Sequence, residues 1–204
     1  MLNIFKYYDD YKSLDKSELS EAISLMHNIF MIEDEPDAAE ELAPVLHIIK
    51  RVPEYASEYA RYIIKGRWKE AELVIMKDPY ENYLYVKEAI KERCPDLEPI
   101  IIKDADLALT YAQNAIGGRW IEAEPIIMKH PSQAYMYAEY ILAKDSKWPH
   151  KNGRWPEAEK YIMKSPEISY YYARDIIKGR WIAAEDVIRK DSYWWNGYKI
   201  KNGL

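Results

Sequence analysis

The sequence predicts an all-α protein, and specifically an α-solenoid of about five to six stacked antiparallel helix pairs with a helical N-terminal cap. The first observation behind this prediction is the tripeptide Gly-Arg-Trp, which occurs at 66–68, 118–120, 153–155 and 179–181 and holds four of the seven glycines. The second is that the surrounding residues recur at a period of about 26, the length of two short helices and a turn. Because one such helix pair cannot bury its apolar face alone, neighbouring repeats have to stack.

The register of the repeat is defined by position zero, the Trp of the tripeptide. Repeats 1 to 6 then start near residues 42, 68, 94, 120, 155 and 181, and repeat 1 is degenerate. Arg at −1, Glu at +4 and Tyr at +17 are the same in every repeat from 2 to 6. They are Arg67, Arg93, Arg119, Arg154 and Arg180; Glu72, Glu98, Glu124, Glu159 and Glu185; and Tyr85, Tyr111, Tyr137, Tyr172 and Tyr198, with Tyr59 in repeat 1.

The chain is predicted to divide into residues 1–36, an N-terminal arm with a capping helix, and residues 37–204, the solenoid. Ser13 or Asp15 is expected to cap the first helix, which runs to about Phe30 before an acidic stretch and Pro36 end it. A distinct N-terminal cap is expected because the end units of a stacked array differ from its interior.

Each repeat is predicted to contain two helices. The first begins after Arg-Trp; Pro99 and Pro125 fall inside it at +5, so that helix either kinks or starts at the Glu. The second begins at an Asp or Ser cap such as Asp78 and ends at a glycine in the left-handed conformation. Those glycines are Gly66, Gly118 and Gly179. The insertion 145–153 separates repeats 4 and 5 and is expected to project as a loop or to follow an extended second helix.

The repeated side chains are predicted to have a structural role. Arg at −1 and Glu at +4 are expected to form parallel ladders when repeats stack, because buried charges have to be paired. The Tyr hydroxyl at +17 is expected to hydrogen-bond the same Glu or a backbone carbonyl, and the Trp at position zero to pack between repeats. The alternative is that the Arg residues line a channel for an anionic ligand.

The sequence holds no motif typical of catalysis, metal binding or a cofactor, so a non-enzymatic protein without these groups is predicted. None of the four histidines has a histidine four residues later, and the single cysteine, Cys94, occupies position zero of repeat 3. The net charge of −5 argues against nucleic-acid binding. No apolar run reaches about 18 residues and the N-terminus lacks a signal-peptide core, so no membrane span and a cytoplasmic location are predicted.

The leading functional hypothesis is a protein that binds another protein on one face of the solenoid. Trp148, Trp194, Trp195 and Tyr193 are the candidate contact residues, because Trp and Tyr dominate many interfaces. One alternative is self-assembly into a homo-oligomer through the aromatic C-terminal end. The other is a small anionic ligand, or a single-stranded nucleic acid, bound by the ladders of Arg, Lys and Tyr.

Two stretches carry a resemblance to known repeats. GRWPEAEKYIMKSP at 153–166 and YYYARDIIKGRW at 170–181 resemble short tandem repeats of uncharacterised proteins from bacteriophages and large viruses. The resemblance spans roughly residues 62–190 and is absent from 1–40. It implies a viral origin, a host-directed or structural partner and the host cytoplasm, and it carries no assigned activity. The repeat also resembles a shortened tetratricopeptide-type helix pair, but it lacks the Trp-Leu-Gly-Tyr pattern of that unit of about 34 residues.

Overall fold

The computed structural model describes residues 16–30 and 37–204 of the chain. Within these ranges all regular secondary structure is helical and no strand occurs, which confirms the predicted all-α class. The predicted arm, the caps Ser13 and Asp15 and the helix break at 33–36 lie outside the described residues. The boundary predicted at residue 36 therefore stays a prediction.

The α-helices are mostly short and are numbered in chain order. They are α1 (Lys16–Phe30), α2 (Ala38–Leu42), α3 (Leu46–Ile49), α4 (Pro53–Glu58), α5 (Glu72–Ile75), α6 (Pro79–Glu88), α7 (Glu98–Ile101), α8 (Ala105–Tyr111), α9 (Glu124–Ile127), α10 (Pro131–Tyr140), α11 (Pro156–Ile162), α12 (Pro166–Tyr172), α13 (Glu185–Ile188) and α14 (Ser192–Asn202). The described residues form two compact bodies, one up to Lys91 and one from Glu92 to Leu204.

The first compact body begins with α1 and the degenerate repeat 1. Helix α1 contacts α2 and α3 and buries Ala22 and Met26. Leu42, which occupies position zero of repeat 1, and Ile49 are fully buried. Helix α1 therefore packs on repeat 1, where the sequence placed a capping helix.

The first helix of most repeats is shorter than predicted. In repeats 2, 4 and 6, positions +1 to +3 form a 3₁₀ turn, and a single α-helical turn then begins at the Glu. Pro99 and Pro125 lie in the first turn of α7 and α9, where the N–H that proline lacks would be unpaired anyway. Of the two outcomes predicted for these prolines, the structure therefore has the helix start at the Glu. Repeat 5 differs, since α11 runs unbroken from Pro156.

The second helices of repeats 2, 3, 5 and 6 begin at side-chain caps, as predicted, whereas His130 makes no such bond at the start of α10. The carboxylates of Asp78, Asp104 and Asp191 each accept hydrogen bonds from backbone N–H groups two and three residues later, at 2.8–3.3 Å. The Ser165 hydroxyl accepts one from the N–H of Ile168 at 3.3 Å. These bonds satisfy N–H groups that the start of a helix otherwise leaves unpaired.

The ends of three second helices differ from the prediction. The left-handed residues are Lys65 (φ 55°), Gly117 (φ 68°) and Lys178 (φ 58°). The predicted left-handed conformation at Gly66, Gly118 and Gly179 is therefore wrong by one residue. The last turn of each of these helices is π-helical, and the helix ends one residue earlier than predicted. Gly66, Gly118 and Gly179 each donate their backbone N–H to the carbonyl six residues back. No atom lies within 4 Å of a Cβ at Gly118 or Gly179, so nothing in the structure explains these two glycines.

The end of the insertion between repeats 4 and 5 packs against α10, whereas the sequence predicted a projecting loop or an extended second helix followed by a loop. A Cβ at Gly153 would lie 2.1 Å from the carbonyl oxygen of Ala138 and 2.6 Å from the backbone nitrogen of Ala143. The φ of Gly153 is 75°, which is strained for any other residue. On its other side, Asn152 Nδ2 donates to the carbonyl of Ile176 at 3.2 Å. The insertion is thus fixed between the second helices of repeats 4 and 5.

Replacing Gly153 tests this packing. Gly153→Ala is expected to lower the free energy of unfolding by about 2 kcal/mol or more, because it adds an overlap with the backbone to a strained φ. The matched control is Gly118→Ala, whose new methyl group meets no atom within 4 Å and whose φ is not left-handed. Urea unfolding followed by circular dichroism would measure both, and equal losses in the two variants would contradict the folded-back insertion.

A buried group of carboxyls marks the first compact body. Glu58 lies at the end of α4 and Glu81 in α6, and burial raises the pKa of each to about 7, assisted by Glu54. Arg61 opposes the shift only in part, since its Nη2 is 3.8 Å from Glu81 Oε2 while its Nη1 donates to Glu88 at 3.0 Å. Glu81 Oε2 has no hydrogen-bond partner among the described residues. The folded state therefore binds protons here more tightly than an unfolded chain does.

These two carboxyls predict an unusual pH dependence of stability. Since the folded pKa lies above the ordinary value of 4.5, their contribution is largest below about pH 4.5 and is lost as pH rises through about 7. The protein is expected to be more stable at pH 5.5 than at pH 8, by on the order of 2 kcal/mol. Urea unfolding at both pH values should show a smaller difference in Glu58→Gln/Glu81→Gln. An exposed control, Glu70→Gln, should keep it, and an unchanged difference in the double variant would refute the assignment.

Candidate functional site

The residues that repeat form a hydrogen-bonded joint in every clear repeat. The joint consists of Arg at −1, position zero, Glu at +4 and Tyr at +17. In repeat 2, Arg67 donates from Nε and Nη2 to the two oxygens of Glu72, at 2.5 and 2.9 Å. The Tyr85 hydroxyl accepts from the backbone N–H of Trp68 at 2.8 Å and donates to Glu72 Oε1 at 3.0 Å. One hydroxyl thus links the start of the first helix to the middle of the second.

The same joint recurs in repeats 3 to 6. Arg donates to both carboxylate oxygens in each, at 2.6–3.3 Å. The backbone N–H of position zero donates to the Tyr hydroxyl, and the pairs are Cys94 with Tyr111, Trp120 with Tyr137 (2.8 Å), Trp155 with Tyr172 (2.6 Å) and Trp181 with Tyr198 (2.6 Å). The Tyr hydroxyl donates to the Glu at 3.2–3.3 Å in repeats 3, 4 and 6.

The Arg–Glu pairs lie within single repeats. Each Arg pairs with the Glu five residues later in its own repeat, so the charges cancel within one joint. This matters for the anion-channel alternative, which needs a line of uncompensated positive charge. Arg93 is half exposed, at 52% of its side chain, but its charge is already offset by Glu98. The joints therefore have the geometry of a structural element.

Burial keeps the joint tyrosines protonated. It raises the pKa of Tyr111 to about 12, and it raises the pKa of Tyr85, Tyr137, Tyr172 and Tyr198 above the ordinary value of 10. A neutral hydroxyl can accept one hydrogen bond and donate another at the same time. The joint needs both roles, so it is insensitive to pH in the neutral range.

The Trp rings connect consecutive repeats, which confirms their predicted packing. Each Trp at position zero lies against the Tyr at +17 of the preceding repeat. The ring centroids are 4.9 Å apart for Tyr59 and Trp68, 5.1 Å for Tyr111 and Trp120, 5.3 Å for Tyr137 and Trp155, and 5.1 Å for Tyr172 and Trp181. The hydroxyl of a joint tyrosine such as Tyr137 therefore accepts a hydrogen bond from the backbone of the Trp in its own repeat, and its ring packs on the Trp of the next repeat.

Two of the four predicted contact residues take part in this packing. Trp195 stacks on Tyr198 at 5.5 Å, where earlier joints have the Trp of the next repeat. Trp148, in the insertion, covers the guanidinium of Arg119 at 4.6 Å and donates from Nε1 to the carbonyl of Arg154 at 2.8 Å. Both side chains are half-buried and support neighbouring joints.

The other two, Trp194 and Tyr193, line an open groove between α12 with its π-helical extension and α14. The groove has a volume of about 370 Å³, and its lining residues are Tyr170, Tyr171, Arg174, Tyr193, Trp194, Asn196 and Gly197. We call it the aromatic groove. The Trp194 ring contacts those of Tyr170, Tyr171 and Tyr193 at 5.5, 5.1 and 4.7 Å. Tyr193 is 73% exposed, so its ring faces solvent at the rim.

Gly197 lines this groove. It lies inside α14, where glycine costs about 1 kcal/mol relative to alanine. A Cβ there would be 3.4 Å from the Tyr170 ring, which is an ordinary van der Waals contact, so the ring lies close to the helix at this point. The sequence analysis missed Gly197, Tyr170, Tyr171 and Arg174. The available signal was Tyr170 and Tyr171, two tyrosines that directly precede the joint Tyr172.

A polar network borders the aromatic groove. Arg174 donates from Nε and Nη2 to the two oxygens of Asp175, both at 2.7 Å, and Tyr135 donates to the same carboxylate at 2.8 Å. Burial pushes the pKa of Asp175 up, but the hydrogen bonds from Arg174 and Tyr135 outweigh it and leave the pKa below its ordinary value. The guanidinium lies 4.7 Å from the Tyr171 ring and 5.7 Å from the Tyr170 ring. The one cation of the groove is therefore already paired.

The rings extend beyond the groove as a row over three second helices. Tyr135 of α10 stacks with Tyr171 of α12 at 6.2 Å, Tyr171 contacts Trp194 of α14 at 5.1 Å, and Trp194 contacts Tyr193 at 4.7 Å. We call Tyr135, Tyr171, Trp194 and Tyr193 the aromatic row. All four belong to the second compact body, and none of them is a joint residue.

The described residues hold no cluster of His, Cys, Asp or Glu suited to a metal ion. Among the helices described, none combines the length and apolar character needed to cross a bilayer. No protein-family model, curated protein or solved structure matches this chain.

Proposed function

We propose that this chain is a non-enzymatic helical-repeat protein that binds a segment of another protein in the aromatic groove. One observation carries the proposal: Tyr170, Tyr171, Trp194 and Tyr193 converge on an open groove, whereas the joint tyrosines and tryptophans are buried. Aromatic side chains bring large contact area at low entropic cost, which is why they are enriched in interfaces. An open groove lined by such rings favours a binding role.

The arrangement of the repeats in this proposal is an α-solenoid. In the second compact body α9 contacts α8 and α10, α11 contacts α10 and α12, and α13 contacts α12 and α14. Each first helix thus touches the second helix of its own repeat and that of the preceding one. Together with the Trp rings that pack on the preceding Tyr, this supports stacking between nearest neighbours.

The paired state of the carboxylates in the joints and beside the groove supports a non-enzymatic role. Each joint Glu accepts two hydrogen bonds from its Arg, and Asp175 is held by Arg174 and Tyr135. These carboxylates are paired with permanent cations and are poorly placed to exchange protons with a substrate. The pairing also weakens the anion-binding alternative. Self-association stays a second candidate function, because Ile200 of α14 is 85% exposed and offers an apolar side chain to another copy of the chain.

The resemblance of the repeats to those of viral proteins extends the proposal to the origin of the chain and the place where it acts. A phage or large-virus origin would make the partner a host protein or a structural protein of the virus. The place of action would then be the host cytoplasm. The argument for the groove is independent of that origin, because it rests on the contacts of its lining residues.

A library of displayed random peptides, panned on the purified full chain, tests the binding proposal. Enriched peptides are expected to bind in fluorescence anisotropy, and Trp194→Ala should weaken them about tenfold or more, as for a central aromatic contact. The matched control is Tyr80→Ala, which removes a 64% exposed ring outside the groove and should leave binding unchanged.

Circular dichroism melts of both variants would establish that the fold is kept. The proposal fails if no peptide is enriched. It also fails if the enriched peptides bind wild type, Trp194→Ala and Tyr80→Ala equally well.

A further inference from the structure

The outer face of α14 departs from the pattern of the other repeats. Ile200 at +19 is 85% exposed, and Tyr193, seven residues earlier and so on the same side of the helix, is 73% exposed. Asn196, between them, is also exposed. We call Tyr193, Asn196 and Ile200 the α14 face. At +19 the other five repeats have a polar or charged residue, and these are Arg61, Lys87, Gln113, Glu139 and Arg174.

The α14 face is complementary to itself. Tyr193 and Ile200 lie equally far along the helix from its midpoint, which falls between Asn196 and Gly197. A two-fold axis through this midpoint would place Ile200 of each copy on Tyr193 of the other, so that both apolar contacts form at once. Asn196 would lie beside the axis, where its amide, which carries donors and an acceptor, can bond the same amide of the second copy.

The charges around the α14 face favour an antiparallel arrangement of two copies. Glu167 is exposed in the first turn of α12, which contacts α14, and it occupies +12 as Tyr193 does. Lys201 follows Ile200 and lies on the side of α12, since it helps to lower the pKa of Asp175. Antiparallel pairing therefore brings Glu167 of one copy towards Lys201 of the other. Parallel pairing would bring like charges together, which is unfavourable.

We propose that two copies of this chain form a symmetric dimer in which their α14 faces pack antiparallel across a two-fold axis between Asn196 and Gly197. This deepens the second candidate function, self-association, and does not depend on peptide binding in the aromatic groove. Each copy contributes two large apolar side chains, which cover less than the about 800 Å² per partner of a standard interface. The dimer is therefore a weak one.

Sedimentation equilibrium of the full chain, from about 5 to about 500 µM, measures this association. The chain is expected to change from monomer to dimer over that range. Ile200→Glu should raise the dissociation constant at least tenfold, because it places a charge in the apolar contact. The matched control is Ile182→Glu, which replaces a 72% exposed isoleucine outside the α14 face and should leave the constant unchanged.

Charge reversal tests the antiparallel arrangement. Lys201→Glu and Glu167→Lys should each weaken the dimer at least threefold, and the variant with both changes should recover most of the loss. Circular dichroism melts would establish that every variant keeps its fold.

A monomer at every concentration, or assemblies that grow beyond a dimer, would overturn the inference. Equal association of wild type and Ile200→Glu, or no recovery in the double charge reversal, would overturn it as well. Ile200 does not line the aromatic groove, so panned peptides should bind Ile200→Glu as they bind wild type. A monomer that binds such peptides would refute the dimer alone, and a dimer for which no peptide is enriched would refute the peptide proposal alone.

Discussion

A tyrosine hydroxyl that accepts one hydrogen bond and donates another is the interaction on which the rest of the structure depends. The chain enters each first helix at position zero, where a buried N–H has no partner within that helix. The hydroxyl at +17 satisfies this N–H and, in most repeats, also binds the Glu that the Arg neutralises. Phenylalanine would fill the space but leave the buried N–H of position zero unpaired. This explains why repeats 2 to 6 have tyrosine and not phenylalanine at +17.

The joint separates the residues that build the fold from those available for binding. Arg, Trp, Glu and Tyr of the joint are occupied by one another, so a surface for a partner has to come from positions that the repeat leaves free. Tyr171, Trp194 and Gly197 are such positions, and they belong to two different repeats. The identical joints then act as a scaffold, and the differences between repeats provide the site. Rigid packing of the scaffold keeps the rings in place before a ligand arrives.

Sequence periodicity predicted the structural features that the repeats share. It was less informative where the structure of a single repeat departs from the common pattern. The all-α class, the Asp caps and the contact of each Trp with its neighbour follow from residue types at fixed spacing. The left-handed residue at the end of the second helix was predicted one position too late, at Gly66 instead of Lys65. The π-helical turn that precedes Lys65 has no signature in the sequence pattern. Spacing alone does not say whether Arg at −1 and Glu at +4 pair within a repeat or between repeats, and the structure has them within each repeat.

The aromatic groove could not be predicted for a related reason. It requires the lateral placement of α12 beside α14, and a one-dimensional pattern does not give the distance between Tyr170 and Gly197. Trp194 and Tyr193 were predicted to contact a partner because Trp and Tyr are common in protein interfaces. The same argument selected Trp195 and Trp148, which pack on Tyr198 and Arg119 within the chain.

Residue-resolved hydrogen exchange at the backbone N–H of Trp120, in wild type and in Tyr137→Phe, tests the role of the hydroxyl most directly. The N–H donates to the Tyr137 hydroxyl at 2.8 Å, so in wild type it should exchange as slowly as the core of α10. Loss of the hydroxyl should speed its exchange by about tenfold or more and leave the N–H groups of Trp155 and Trp181 protected. Fast exchange at Trp120 in wild type, or the same rate in both proteins, would contradict the account.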